Sequence, residues 1–167
     1  MATISILKKL INFYFYFLVF IFIAIAIFLP ILYKQGEDFS LNLIDGYDFS
    51  TLSFGEFLTV ILICLGICYL YIRAVYLIKK CLNSLSNGDY FSKLTTHNFN
   101  KAGKLFIISG VSFSVFKFTL RLVLLNDIKV GLNNTLILSL IIGLFFMFLS
   151  EVFTQARETK KENDLTI

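Results

Sequence analysis

Three cations interrupt otherwise apolar stretches of this 167-residue chain, Arg73, Lys117 and Arg121, and they are the first place to look for chemistry. A charged side chain at the centre of a bilayer costs about 3 kcal/mol on insertion scales, so it is kept for a partner, a ligand or an ion path. Arg73 stands about five residues from the inner end of its run and Arg121 about four from the outer end of its own, so both can snorkel. Lys117 is the deep one, about 18 Å from the inner end of its run at about 1.5 Å per residue. Gly103, Ile107, Gly110, Ser114, Lys117 and Arg121 recur at intervals of 4, 3, 4, 3 and 4, which is one stripe of a helix. Glu56, Thr59, Ile63, Gly66, Leu70 and Arg73 form a second such stripe. Small residues let helix backbones approach in lipid, and polar side chains then bond across the contact. Depth along the runs predicts a Glu56–Arg121 pair and an Arg73–Glu151 pair. The plain role of such pairs is to fix helix register. No acidic residue falls at the depth of Lys117. It is therefore neutral, bonded to Ser or Tyr groups, or lining a wet cavity that can hold a ligand or ion.

Other chemistry is not encoded in a recognisable pattern. His97 has no Cys or carboxylate at ligand spacing and reads as an exposed polar residue. Cys64, Cys68 and Cys81 make no close-spaced zinc or redox motif and read as small apolar packing. There is no His-Glu-x-x-His, no phosphate-cradling glycine loop, no nucleophile elbow and no intramembrane aspartyl pair. The expectation is a non-enzymatic protein with no cofactor and no metal. Asn133-Asn134-Thr135 matches a glycosylation sequon, a short pattern that is common by chance.

The elements that must position those cations follow from composition. The chain is 57% hydrophobic and 16% charged, with a mean hydropathy of +0.82. Ordinary soluble domains carry about 25% charge and about 45–50% apolar residues, so a soluble core and a disordered chain are both excluded. About 20 apolar residues cross the roughly 30 Å hydrocarbon core as a helix. Such runs occur at about 10–33, 57–78, 105–125 and 132–150. Segments such as 17–29 do not alternate, which argues against a β-barrel. The expected fold is an all-α integral membrane protein, one domain over 1–167, with four transmembrane helices in an antiparallel bundle. Lys8 and Lys9 before the first run, with Ala24-Ile25-Ala26 inside it, mimic a signal peptide. However, the apolar run continues to Tyr33, which predicts an uncleaved helix with Pro30 near its outer end.

Basic residues in short loops set orientation. Lys8, Lys9, Lys79, Lys80, Lys93, Lys101, Lys104, Arg157, Lys160 and Lys161 fall on one side, against Lys34 and Lys129 on the other. Both termini and the 79–104 loop are therefore expected in the cytoplasm. The overall charge of +4 largely reflects this bias and makes no case for direct nucleic-acid binding. The outer loop 34–56 carries Glu37, Asp38, Asp45, Asp48 and Glu56 against Lys34, a functional clue rather than a topology signal. Residues 79–104 read as a cytoplasmic helical hairpin turning at Asn87-Gly88-Asp89, its second helix capped by Thr95 or Thr96. Residues 151–167 read as a helical extension and a tail.

Two stretches carry a family resemblance. One is Ile78-Lys79-Lys80-Cys81-Leu82-Asn83-Ser84-Leu85-Ser86-Asn87-Gly88-Asp89-Tyr90-Phe91-Ser92, then Phe99 and Ala102-Gly103-Lys104-Leu105. The other is Glu151-Val152-Phe153 with the closing Glu162-Asn163-Asp164-Leu165-Thr166-Ile167. Together they resemble the bacterial four-helix membrane family known as domain of unknown function 2975, the tail being the more specific part. Thr95-Thr96-His97-Asn98 departs from that pattern in being more polar and less basic. The resemblance implies residence in the bacterial cytoplasmic membrane. It also implies a gene neighbour, a very small helix-turn-helix regulator resembling Cro and CI repressors. The first functional expectation is thus a regulatory adaptor or sensor between the lipid bilayer and a small cytoplasmic DNA-binding regulator. Glu56, Lys117 and Arg121 would serve the sensing side. Phe91, Asp164, Leu165, Thr166 and Ile167 would serve the partner side, the apolar end suiting strand addition or a groove contact. The alternative is a small transporter, channel or immunity-type protein with an anion path along Lys117 and Arg121, for which four helices per chain would require oligomers.

Overall fold

In the computed structural model, residues 2–34, 49, 52–88, 92–125 and 134–165 are described, with backbone alone at 2, 164 and 165. Four helices account for nearly all of them: α1 (Ala2–Lys34), α2 (Phe54–Ser86), α3 (Lys93–Leu125) and α4 (Asn134–Leu165). No strand occurs among the described residues, and all four helices are long and apolar enough to cross a membrane. At about 1.5 Å per residue each is near 50 Å long, well beyond a hydrocarbon core of roughly 30 Å. Each apolar run thus lies toward one end of a longer helix, which continues past the run at its other end.

Local sequence sets the helix ends. Ser53 and Glu56 form a capping box before α2: the Glu56 N–H donates to Ser53 Oγ at 3.4 Å, and the Ser53 N–H donates to Glu56 Oε2 at 2.8 Å. At the other end Asn87 caps α2, and Gly88, at φ +84°, adopts the left-handed conformation that glycine permits without a Cβ clash. The cap of α3 is Ser92, one turn before the expected threonines. Its Oγ accepts from the Thr95 N–H at 3.1 Å and lies 2.8 Å from Thr95 Oγ1. Ser92→Ala should cost about 1 kcal/mol, read as a fall of about 2–4 °C in the thermal midpoint in detergent. An unchanged midpoint would assign the helix start to packing alone.

Each helix packs on its sequence neighbours. Among the described residues α1 packs on α2 but not on α3 or α4, and α4 packs on α3 but not on α2. The arrangement is an open row in chain order. The α1–α2 seam is aromatic: Tyr14 and Tyr71 hydroxyls meet at 3.0 Å, and Tyr33 donates to the Leu52 carbonyl. Near its other end the Lys79 ammonium lies 4.7 Å and 4.3 Å from the Phe15 and Tyr16 ring centres. The α2–α3 seam has two apolar clusters. Phe57 and Ile61, early in α2, meet Phe116 and Leu120, late in α3, with Phe49 beside them. Ala74, Val75, Ile78 and Leu82 meet Ala102 and Phe106.

The α3–α4 seam is built on glycine. A Cβ on Gly103 would lie 2.5 Å from the Gly143 carbonyl oxygen, and one on Gly143 would lie 2.5 Å from Ile107 Cγ1. A Cβ on Gly110 would overlap the Ser139 side chain. These contacts place the Gly103–Ile107–Gly110 stripe on α4, whereas depth along the runs paired it with α2. Toward the α2–α3 turn, Phe99 stacks between Phe146 and Phe153 at 5.9 Å and 5.7 Å. Ser150 Oγ donates to the Thr96 carbonyl at 2.8 Å. Thr95, Thr96 and Asn98 are buried and His97 is exposed, so the polar departure from the family pattern is largely a packed seam.

The expected α2 stripe faces the other way. Glu56, Thr59, Ile63, Gly66 and Arg73 are exposed and Leu70 is half-buried, while the buried face is Phe57, Ile61, Ala74, Val75, Ile78, Cys81 and Leu82. Small and polar residues do not define a contact here because branched and aromatic side chains fill it.

Candidate functional site

All four helices wall a cavity of about 240 Å³ inside the membrane-spanning region. Leu18 and Ile25 of α1 face it, with Cys68 and Tyr71 of α2, Ser109, Gly110 and Phe113 of α3, and Thr135 and Ser139 of α4. It exists because α1 and α4 do not close on each other while α2 and α3 hold them on the same side of the row. Its lining is mainly aliphatic and aromatic. Two of its polar groups are engaged: Tyr71 with Tyr14, and Ser109 Oγ with the Phe106 carbonyl at 3.0 Å.

The predicted cations stand in different relations to this cavity. Lys117 is half-buried, its ammonium 5.9 Å from the centre of the Phe113 ring that lines the cavity. Arg121, one turn farther along α3, is half-buried, and its Nε is buried without a hydrogen-bond partner among the described residues. Neither Glu56 nor Arg73 is drawn to the expected partner. The Glu56 carboxylate is engaged at the helix start through Oε2, which accepts from both the N–H and the Oγ–H of Ser53 at 2.8 Å. Phe57 and Leu120 share one cluster, so Glu56 and Arg121 do lie at the same end of the row. The depth expected for them holds, and the face does not. Arg73 is exposed, with its guanidinium 3.4 Å from the Tyr69 hydroxyl on its own helix, and Glu151 is exposed on α4. No ion pair joins either couple among the described residues.

Of the expected partner-side residues, Phe91, Thr166 and Ile167 lie outside the described residues, as do the side chains of Asp164 and Leu165. The acidic residues of 35–48 are likewise outside them. Sequence reasoning missed the α4 wall. Ser139, Gly143 and Met147 recur every four residues and pack on Gly103 and Gly110; the small-x-x-x-small spacing of Ser139 and Gly143 was the signal available.

Four long apolar helices arranged in sequence order, around a cavity within the spanning region, define a multi-pass membrane protein. Within that class the chain belongs to the family described as protein of unknown function (DUF2975), whose model matches residues 10–167. No curated protein and no solved structure shows a significant match.

Proposed function

We propose that the protein is a non-enzymatic regulatory adaptor of the bacterial cytoplasmic membrane. In this reading its helices run antiparallel with both termini inside, as the basic residues of the 79–104 loop and the tail direct. Its cytoplasmic face, around Phe91 and the Asp164–Leu165–Thr166–Ile167 end, holds a small helix-turn-helix regulator. The observation that carries the proposal is the continuity of α4. One unbroken helix contributes Thr135 and Ser139 to the cavity wall and runs on through exposed Glu151, Glu158, Lys160, Lys161 and Glu162. A rigid element of this kind passes a change of packing at the cavity to a surface beyond the membrane. A ligand that favours one packing of α4 then biases partner binding by its differential affinity. The apolar lining also favours this reading over an anion path, which needs polar or charged groups along its length.

Affinity capture from native membranes tests the proposal by comparing the full chain with a version ending at Glu162. The expected result is recovery of a helix-turn-helix protein with the full chain and at least a ten-fold loss with the shortened one. Equal recovery, or none, at matched expression would remove the adaptor reading. Anion flux in liposomes that disappears in Lys117→Met would replace it with the transporter.

A further inference from the structure

We propose that the cavity and the cations beside it form a binding site for one anionic membrane lipid. An acyl chain lies between α1 and α4, and the headgroup phosphate lies against Lys117 and Arg121. The site does not depend on any cytoplasmic partner.

The two halves of the site have different chemistry and are in the right order. The cavity is apolar, and the row leaves α1 and α4 unpacked against each other, so its open side faces the bilayer. An unfilled apolar void loses dispersion contacts along its lining, and hydrocarbon is the neighbouring solvent able to restore them. Phe113 marks the boundary: its ring lines the cavity and has the Lys117 ammonium 5.9 Å from its centre. From Phe113 to Arg121 is about 12 Å along the helix. The cations therefore begin where the apolar lining ends and continue toward the end of α3, where headgroups lie.

Arg121 carries the argument furthest. Its Nε is buried and meets no acceptor among the described residues. A buried donor left unmade is costly, and more so on a charged group. Glu56, at the same end of the row, is committed to its own helix cap and does not supply that acceptor. A phosphate does, in the planar two-point geometry that guanidinium favours. Charge complementarity thus selects an anionic lipid over a zwitterionic one, and the cavity selects a lipid over a free anion. Basic pockets between membrane helices bind lipid headgroups in this way.

The test is native mass spectrometry of the full chain in detergent, titrated with phosphatidylglycerol or with phosphatidylcholine of the same acyl chains. The expected result is one retained phosphatidylglycerol, held at least ten-fold more strongly than phosphatidylcholine. The double variant Lys117→Met/Arg121→Gln should abolish that preference while still retaining either lipid weakly. Cys68→Phe, which fills the cavity from α2, should lose both lipids. Thr135→Leu fills it from the opposite wall and gives the same reading if Cys68→Phe does not fold. Equal retention of the two lipids by the unmodified chain would overturn the proposal. So would phosphatidylglycerol binding that survives both filling variants, or binding of inorganic phosphate alone that competes fully. A lipid-free dimer as the dominant species would assign the cavity to a second copy of the chain instead.

Discussion

Gly103→Leu should lower the thermal midpoint in detergent by roughly 5–10 °C, whereas Gly66→Leu should leave it within about 2 °C of the unmodified chain. Both are helix-interior glycines, so leucine raises helix propensity in each case, by a similar amount. Surroundings decide the difference. Nothing lies within 4 Å of a Cβ at Gly66, on the exposed face of α2. A Cβ at Gly103 would lie 2.5 Å from a backbone carbonyl oxygen of α4 and 2.7 Å from Met147 Cγ. The Met147 side chain can turn aside, but the Gly143 carbonyl belongs to the helix and moves only if α3 and α4 separate. Overpacking of this kind costs about 2–3 kcal/mol. The separation would also release the Ser150–Thr96 bond and the Phe146–Phe99–Phe153 stack farther along the same seam. Equal midpoints for the two variants would mean that the α3–α4 contact is looser than described.

The same pair of glycines shows which parts of the fold could be read in advance. Four spans are legible because a bilayer imposes length and apolarity on each one independently of its neighbours. The α3 stripe is legible because close approach of two backbones demands glycine or another small residue, and that demand leaves a period in the sequence. On α2 the same rule points to the wrong face. Lipid is as apolar as leucine, so exposed and buried positions of a membrane helix can carry the same side chains. Ile63 is exposed and Ile61 buried, and nothing in their identity distinguishes them. The open order of the row was not legible for a related reason: α1 is apolar on every side, and the sequence does not say which of its faces meets a helix.

Charges failed as guides where a local partner was closer than a distant one. Glu56 stands three residues after Ser53, and that spacing is itself a capping signature. A cap forms within one helical turn and closes no long loop, so it takes precedence over a partner on another helix. Among the described residues Glu56 is held at its own helix cap and the Arg121 Nε is buried without a hydrogen-bond partner. The cation was legible as a candidate for function; that its partner is not Glu56 was visible only in three dimensions. The cavity was illegible throughout, because it is assembled from all four helices and no single one carries its signature.

Phe57→Ala should destabilise the fold by about 3 kcal/mol and free the end of α1, the second large effect expected. Phe57 is 2% exposed at the start of α2. Its ring stacks on Tyr33 of α1 at 3.9 Å and meets Phe49 edge-on at 6.2 Å. The same side chain packs in the cluster with Ile61, Phe116 and Leu120, so one ring ties α1 to the end of α3 through α2. Truncation leaves a cavity among rings too rigid to collapse into it. Because among the described residues α1 packs on α2 and on neither other helix, a contact to α3 or α4 does not compensate. Hydrogen exchange should therefore rise along the Pro30–Lys34 end of α1 well before α3 and α4 lose protection. Phe57→Leu should recover about half of the loss by refilling the aliphatic part of the site. Phe13→Ala, at a residue 73% exposed on α1, should cost less than about 0.5 kcal/mol. If Phe57→Ala raised exchange equally in all four helices, the row would unfold as one unit and α1 would not be its weakly held edge. Local release of α1 alone would show that the wall on one side of the cavity can move while the α3–α4 seam stays closed.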